Sequence, residues 1–192
     1  MAVMVKRPKK SWDQGVSYEE IKTRLLELIE IARFRASLGY EKAKQRLANL
    51  YVLLVQLENA ARISEAYEAY MTFLATGMRE IPVRVRKRKD ETYRLIMIPP
   101  EIPENAPAPV SIAAVKVFAR EVLGVNTHTL RYARITHMAR LGVPAQIIGR
   151  ITEHKKLDMI LRYTQKVEAE KTLRQLVLGH EVGKARAKAS AT

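Results

Sequence analysis

The spacing of apolar residues predicts a chain that consists mainly of amphipathic helices. A capping-box pair, Ser17 and Glu20, precedes a run in which apolar residues recur at steps of four, three and four, so we expect a first helix that ends near Gly39. The recurring residues are Ile21, Leu25, Leu28 and Ala32. Between Glu41 and about Leu57 the later half is apolar nearly all round, which predicts a second helix in the centre of the fold.

A third helix is expected over residues 58–75, after a short break at Asn59 and with Arg62 near its entry. Strict alternation follows over residues 81–86, then a polar turn over 87–91 and an apolar run over 93–98 that two prolines close. This pattern predicts one β-hairpin with a strongly basic surface.

The downstream half of the chain returns to helical patterns after a proline-rich loop over residues 99–109. Ser111 caps a helix that extends to Leu123, and a further helix over 128–141 ends before Gly142. Pro144 is predicted in the first turn of a short helix, and helical segments are expected over 155–163 and 167–178. The predicted fold class is mostly α with a small antiparallel β-hairpin.

The charge of the chain narrows the classes of partner. With 34 Lys and Arg against 20 Asp and Glu, the net charge is +14. A strongly basic domain usually binds a polyanion, and nucleic acid is the commonest one. The sequence contains no cysteine, no run of eighteen apolar residues and no apolar stretch behind the basic start, so we expect a cytoplasmic protein without a membrane segment.

Several kinds of catalytic site find no support in the sequence. There is no Gly-rich phosphate loop, and His128 and His137 lack the carboxylates or the helical spacing of a metal centre. Arg, Lys, His and Tyr remain, and these side chains can grip a phosphodiester and attack it without a metal or a cofactor.

One region of the sequence concentrates such residues. His128 and Arg131 are three positions apart and share a helix face, while His154 precedes Tyr163 by nine positions. With the glycine turn at Gly142 between them, these elements resemble the second motif box of the tyrosine recombinase (phage integrase) family. Thr152-Glu153 stands where that family often has Leu-Gly. The resemblance covers roughly residues 40–166 and implies a nucleophilic Tyr163.

The resemblance also implies an upstream arginine and a lysine. Arg62, in the run Arg-Ile-Ser-Glu, fits the family order better than Arg79, which follows Gly77 and Met78. For the lysine we favour Lys87, at the end of the first strand, with Lys89 in reserve. The predicted catalytic set is therefore Tyr163, Arg62, Arg131, His128, His154 and Lys87.

The hairpin carries further cations that we expect to contact the DNA backbone, namely Arg84, Arg86, Arg88 and Arg94. By resemblance the chain is a catalytic domain over residues 17–166, after a basic arm over 1–16 and before a helix and basic tail over 167–192 that could dock on a neighbour. It is expected to act on double-stranded DNA as a homo-oligomer, a tetramer in the family. The alternative is a basic DNA-binding protein that keeps this scaffold but does not cut.

Overall fold

The computed structural model describes residues 16–85 and 91–154, together with 169, 172–174 and 176–178. Its described elements confirm a mostly helical fold with one antiparallel hairpin. They are α1 (Tyr18–Ser37), α2 (Glu41–Glu58), α3 (Ile63–Thr76), β1 (Glu80–Arg84), β2 (Tyr93–Met97), α4 (Ile112–Val122), α5 (Thr127–Arg140) and α6 (Ala145–Thr152).

Helix α2 lies at the centre of the fold, as its sequence predicts. Every residue from Leu47 to Leu57 is buried, and α1, α3, α4 and α5 all pack against this helix. A helix that is apolar all round has no face to offer to water, so its neighbours must surround it. The end of α2 consequently lies where several other elements converge.

The connection between α2 and α3 is longer than the sequence indicates. Helix α2 ends at Glu58 and α3 begins only at Ile63, because Ala60 adopts a left-handed conformation with φ of 46°. That conformation stops a helix, and it is usually taken by glycine. The break expected at Asn59 is present, but it extends to Arg62, so the third helix begins at Ile63 and not near Glu58. Alanine gives no sequence signal for this longer connection.

The hairpin pairs β1 with β2 in a register that sets which side chains face inward. Ile81 lies opposite Ile96, and Val83 lies opposite Arg94, and all four are buried. The outward positions of both strands are exposed. Helix α6 packs on α5 and β2, with Pro144 as its N-cap residue rather than its first helical residue. Within the described residues, no helix is long and apolar enough to span a membrane.

Candidate active site

Two helix ends with left-handed residues form the frame of the site. At the end of α2, Ala61 N donates to Gln56 O across Ala60; at the end of α6, His154 N donates to Gly149 O across Glu153, whose φ is 50°. Both are the hydrogen-bond pattern of a Schellman motif, in which glycine is usual at the left-handed position. A side chain there costs about 1–2 kcal/mol, and strain of this kind gathers at functional sites.

Arg131 of α5 joins the two helix ends. Its Nη1 donates to Ala60 O at 2.7 Å, and its Nη2 donates to Thr152 O at 2.7 Å. Cations are favourable at helix C-termini, where carbonyl groups carry partial negative charge. These two bonds fix the plane of a side chain that is 4% exposed, and a guanidinium has five N–H donors. The guanidinium group is therefore fixed in place, and its remaining N–H groups can donate to an anion.

Arg62 enters the site from the position directly before α3. It is the N-cap residue, and its backbone N donates to Glu65 Oε2 at 3.0 Å in a capping-box contact. Its guanidinium Nη1 also lies 2.5 Å from Glu65 Oε1, while Arg131 Nη1 lies 3.9 Å from Glu65 Oε2. One buried carboxylate therefore holds both arginines on the same side of the fold.

His154 completes this group directly after the end of α6. Thr152 Oγ1 donates to Ile148 O at 2.7 Å and lies 2.6 Å from His154 Nδ1, so the hydroxyl must accept from Nδ1–H. The lone pair of the neutral ring is then on Nε2. Arg131 Nη2 lies 3.3 Å from Nδ1 and 3.4 Å from Nε2, which places the imidazole directly against the guanidinium.

The site carries an excess of positive charge. Burial, followed by the positive charges of Arg62 and Arg94, lowers the pKa of Arg131 to about 9. Burial and the three guanidinium groups, Arg131 first, lower the pKa of His154 to about 4. Three arginines face two carboxylates, Glu65 and Glu153. An anion that entered this cage would be stabilised before any reaction took place.

The lowered pKa of His154 predicts a pH dependence of stability. The unfolded chain takes up a proton on this ring as the pH falls below 6.5, whereas the folded chain resists protonation down to about pH 4. Stability is therefore fully present above pH 6.5 and declines as the pH falls from 6.5 to 4. Thermal unfolding across this window should show a shallower decline in His154→Gln, which has no titrating ring.

His137→Gln is the matched control for that titration. His137 lies on α5 and stacks on the Tyr18 ring, with Nδ1 2.7 Å from Glu19 Oε1, so it has no contact with the arginine cage. If the thermal stability of wild type and of His154→Gln declined equally between pH 6.5 and 4, the assignment of a buried neutral imidazole at residue 154 would be contradicted.

The structure brings together three of the predicted catalytic residues, Arg62, Arg131 and His154. His128 is exposed in the first turn of α5, one helical turn before Arg131 on the same face. Other predicted residues lie outside the described part of the chain, and they are Tyr163, Lys87, Lys89, Arg86 and Arg88.

Arg84 and Arg94 differ although both were expected to contact DNA. Arg84 is exposed on β1, whereas Arg94 is 5% exposed and faces inward on β2. Arg94 Nη1 lies 3.3 Å from Glu65 Oε2, and Nη2 donates to Asn59 O at 2.6 Å. Its placement does not match an exposed contact to the DNA backbone. Arg94 lies two and four positions before Ile96 and Ile98, which are both buried. Because alternate residues of a strand lie on the same face, this spacing was the sequence signal that Arg94 faces inward.

Arg79 lies apart from the cage and supports the choice of Arg62. It donates to Pro99 O and Ile102 O, and its guanidinium carbon lies 5.2 Å from the centre of the Phe73 ring. These contacts tie the start of the hairpin to the loop that follows it. In the described ranges, no group of three His, Cys, Asp or Glu side chains could hold a metal ion.

Comparisons with curated proteins find relatives over most of the chain. It is 35% identical over 176 residues to "Putative integrase ORF241" of Acidianus two-tailed virus, an alignment that covers 88% of this chain and 70% of that protein. It is 29% identical over 206 residues to uncharacterized protein MJ0770 of Methanocaldococcus jannaschii, and this alignment covers 90% of this chain and 92% of that protein. No protein-family model matches the sequence.

Two solved structures share the fold. One is the XerH site-specific recombinase bound to its difH substrate before cleavage, with a TM-score of 0.56, 17% identity, and coverage of 83% of this chain. The chain spans about half of XerH, at 51%. The other is the XerA recombinase, with a TM-score of 0.53, 17% identity, and coverage of 90% of this chain and 67% of that one.

Proposed function

This chain belongs to the tyrosine recombinase family, and we propose that it cleaves and rejoins DNA at specific sites through a covalent 3′-phosphotyrosyl bond to Tyr163. The observation that carries the proposal is the cage of Arg62, Arg131 and His154. Its guanidinium groups are oriented by fixed carbonyl and carboxylate groups, and it has one positive charge in excess. A phosphodiester brings the anion that this cage lacks. We assign the catalytic domain to residues 17–166.

In the proposed step, the phenol oxygen of Tyr163 attacks the phosphorus of one DNA strand. The Tyr163 O–P bond forms as the bond from phosphorus to the 5′ oxygen breaks, and His128 accepts the phenol proton. Lys87 supplies a proton to the departing 5′ oxygen, which leaves as a hydroxyl. Lys89 takes this part if Lys87 lies out of reach.

Arg62 and Arg131 stabilise the charge that builds on the two non-bridging oxygens in this step. Paired N–H donors match the geometry of such oxygens, and a point charge does not. In the empty cage His154 is neutral and its Nε2 carries no proton. The negative charge of a bound phosphate favours protonation of this nitrogen, and Nε2–H then donates to one of the non-bridging oxygens. Because each bond broken is replaced by a similar one, a second strand's hydroxyl can reverse the step without ATP.

Covalent capture tests this proposal. Nicked duplexes with a randomised centre are incubated with the protein, and strands that stay attached in denaturant are recovered and sequenced to define a site. We expect an attached strand with its phosphate on Tyr163 by peptide mass. Sequence-specific binding without any attached strand would favour the rival function, a DNA-binding protein that keeps the recombinase scaffold and does not cut.

We propose double-stranded DNA as the partner, gripped partly through the hairpin cations Arg84, Arg86 and Arg88, with a tetramer as the active assembly. Phosphate contacts release counterions, so the logarithm of affinity falls linearly with the logarithm of salt concentration. Replacing one contacting cation should reduce that slope by about one.

The exposed Arg84 allows this salt dependence to be measured. We expect Arg84→Gln to reduce the slope by about one and to weaken binding of all duplexes alike. Fluorescence anisotropy over a salt series gives the slope. Lys44→Gln removes the same charge from an exposed side chain whose ammonium already lies 2.6 Å from Glu41, and it should leave the slope unchanged. Equal slopes for wild type and Arg84→Gln would exclude Arg84 from the interface.

A further inference from the structure

The last residue of α2 and the turn that follows it present four consecutive carbonyl groups, and each one accepts a hydrogen bond from a side chain. The donors come from α2, α5 and β2, so one short turn joins three elements around the cage. The pairs are Glu58 O with Arg134 Nε, Asn59 O with Arg94 Nη2, Ala60 O with Arg131 Nη1, and Ala61 O with Gln56 Nε2.

Arg94 is the donor whose position on its own element is least expected. It occupies an inward place on a strand, opposite Val83, where an apolar residue would be usual. Within the described residues its buried Nε has no hydrogen-bond partner. An apolar residue of similar volume is often as stabilising as a buried ion pair, so packing alone does not account for an arginine here.

The contacts of Arg94 connect the hairpin to both catalytic arginines. Nη1 reaches Glu65, the carboxylate that Arg62 and Arg131 share, and Nη2 binds the turn one residue before the carbonyl that holds Arg131. A second connection lies beside it, because Asn59 Nδ2 donates to Met97 O at 2.7 Å and Met97 N donates to Asn59 Oδ1 at 2.8 Å.

We propose that Arg94 is a positioning residue that fixes Glu65 and the α2–α3 turn. It thereby holds Arg62 and Arg131 in a fixed position relative to the hairpin. This inference rests on the proposed function. Since Arg94 is buried and its terminal nitrogens bind protein groups, it acts through other residues and makes no contact with DNA. In the sequence, Lys87 and Lys89 lie between β1 and β2, the two strands that the Arg94 contacts and the β1–β2 pairing connect to the cage.

The test separates the rate of cleavage from the affinity for DNA. Arg94→Met removes the charge at similar volume, and Glu65 keeps Arg62 and Arg131 as ion partners, so the variant should fold. We expect adduct formation at saturating protein to slow about 100-fold, while the dissociation constant and salt slope stay within about threefold of wild type. Arg94→Lys keeps the charge but cannot bind both Asn59 O and Glu65. We expect it to form the adduct about tenfold faster than Arg94→Met and about tenfold slower than wild type.

Arg79→Met is the matched control. It also removes a guanidinium that donates to two carbonyl groups, but these lie in the loop after the hairpin, so the rate at saturation should not change. If Arg94→Met does not fold, Asn59→Ala breaks the neighbouring connection to Met97 and should show the same loss of rate at unchanged affinity. A loss of affinity as large as the loss of rate, or no loss of rate in either variant, would overturn the proposal.

Failure of the proposed function gives a different result. If the wild-type protein attaches to no duplex, inorganic phosphate becomes the probe, and the Cε1–H NMR signal of His154 reports its entry into the cage. Loss of the phosphate-induced shift in Arg94→Met, with the shift retained in Arg79→Met, supports the positioning role. An unchanged shift in Arg94→Met, or no shift in the wild-type protein, refutes it.

Discussion

Tyr163→Phe should abolish covalent attachment of the protein to DNA and leave its affinity for DNA unchanged. The substitution removes one oxygen, the atom that attacks phosphorus in the proposed reaction, and keeps the aromatic ring. Without a nucleophile only the binding contribution of the cage remains, and loss of the nucleophilic serine in a serine protease lowers kcat by about 10⁶-fold. A denaturing gel of a nicked duplex carrying the selected site measures the adduct, and anisotropy measures the affinity.

The adduct assay has a control in Tyr132→Phe. Tyr132 follows Arg131 on α5 and is the tyrosine nearest to the cage in sequence among those the structure describes. Its hydroxyl has no part in the proposed reaction, so the adduct should persist. An adduct that survives in Tyr163→Phe and disappears in Tyr132→Phe would move the nucleophile to α5 and overturn the assignment drawn from the family spacing.

The number of residues between His154 and Tyr163 allows the proposed reaction to take place within one protomer. Tyr163 lies nine positions after His154, and an extended segment of nine residues spans about 30 Å at most. His154 itself lies against Arg131. The length of this segment is therefore compatible with an attack by Tyr163 at the cage of its own chain.

Periodicity predicted the elements of this fold because their burial follows simple rules. The central place of α2 was evident from residues that are apolar on every side, and the hairpin from strict alternation. The cage was less predictable. Arg62 and Arg131 came from motif order, but the turn that joins them depends on Ala60 in a left-handed conformation, which alanine rarely signals.

The position of Arg94 was also not predicted from the sequence pattern. A list of cations on a basic hairpin suggested a surface contact, whereas the pairing of β1 with β2 places this guanidinium inside. Burial of such a group depends on partners that are distant in sequence, here Asn59 and Glu65. Local pattern carries no information about such partners, so this part of the site required the folded structure.

Arg62→Ala and Arg79→Ala should have opposite effects, although both remove one arginine upstream of the hairpin. The Arg62 side chain is 20% exposed, and Arg62 and Arg131 both contact Glu65. Loss of Arg62 would therefore remove one of the two guanidinium groups that we propose bind the phosphate. We expect adduct formation to fall by about 10²–10³-fold, by comparison with deletion of one oxyanion donor. The backbone N of residue 62 can still donate to Glu65, so the fold should change little.

Arg79→Ala should instead lower stability while cleavage survives below the melting temperature. Two charge-assisted hydrogen bonds and the contact with Phe73 are lost, which should cost about 1–3 kcal/mol and a few degrees of Tm. Calorimetry and single-turnover adduct assays on both variants measure the two quantities. The reverse outcome, with activity lost in Arg79→Ala and kept in Arg62→Ala, would show that the phosphate is gripped from the hairpin entrance, and the cage around Glu65 would then be structural.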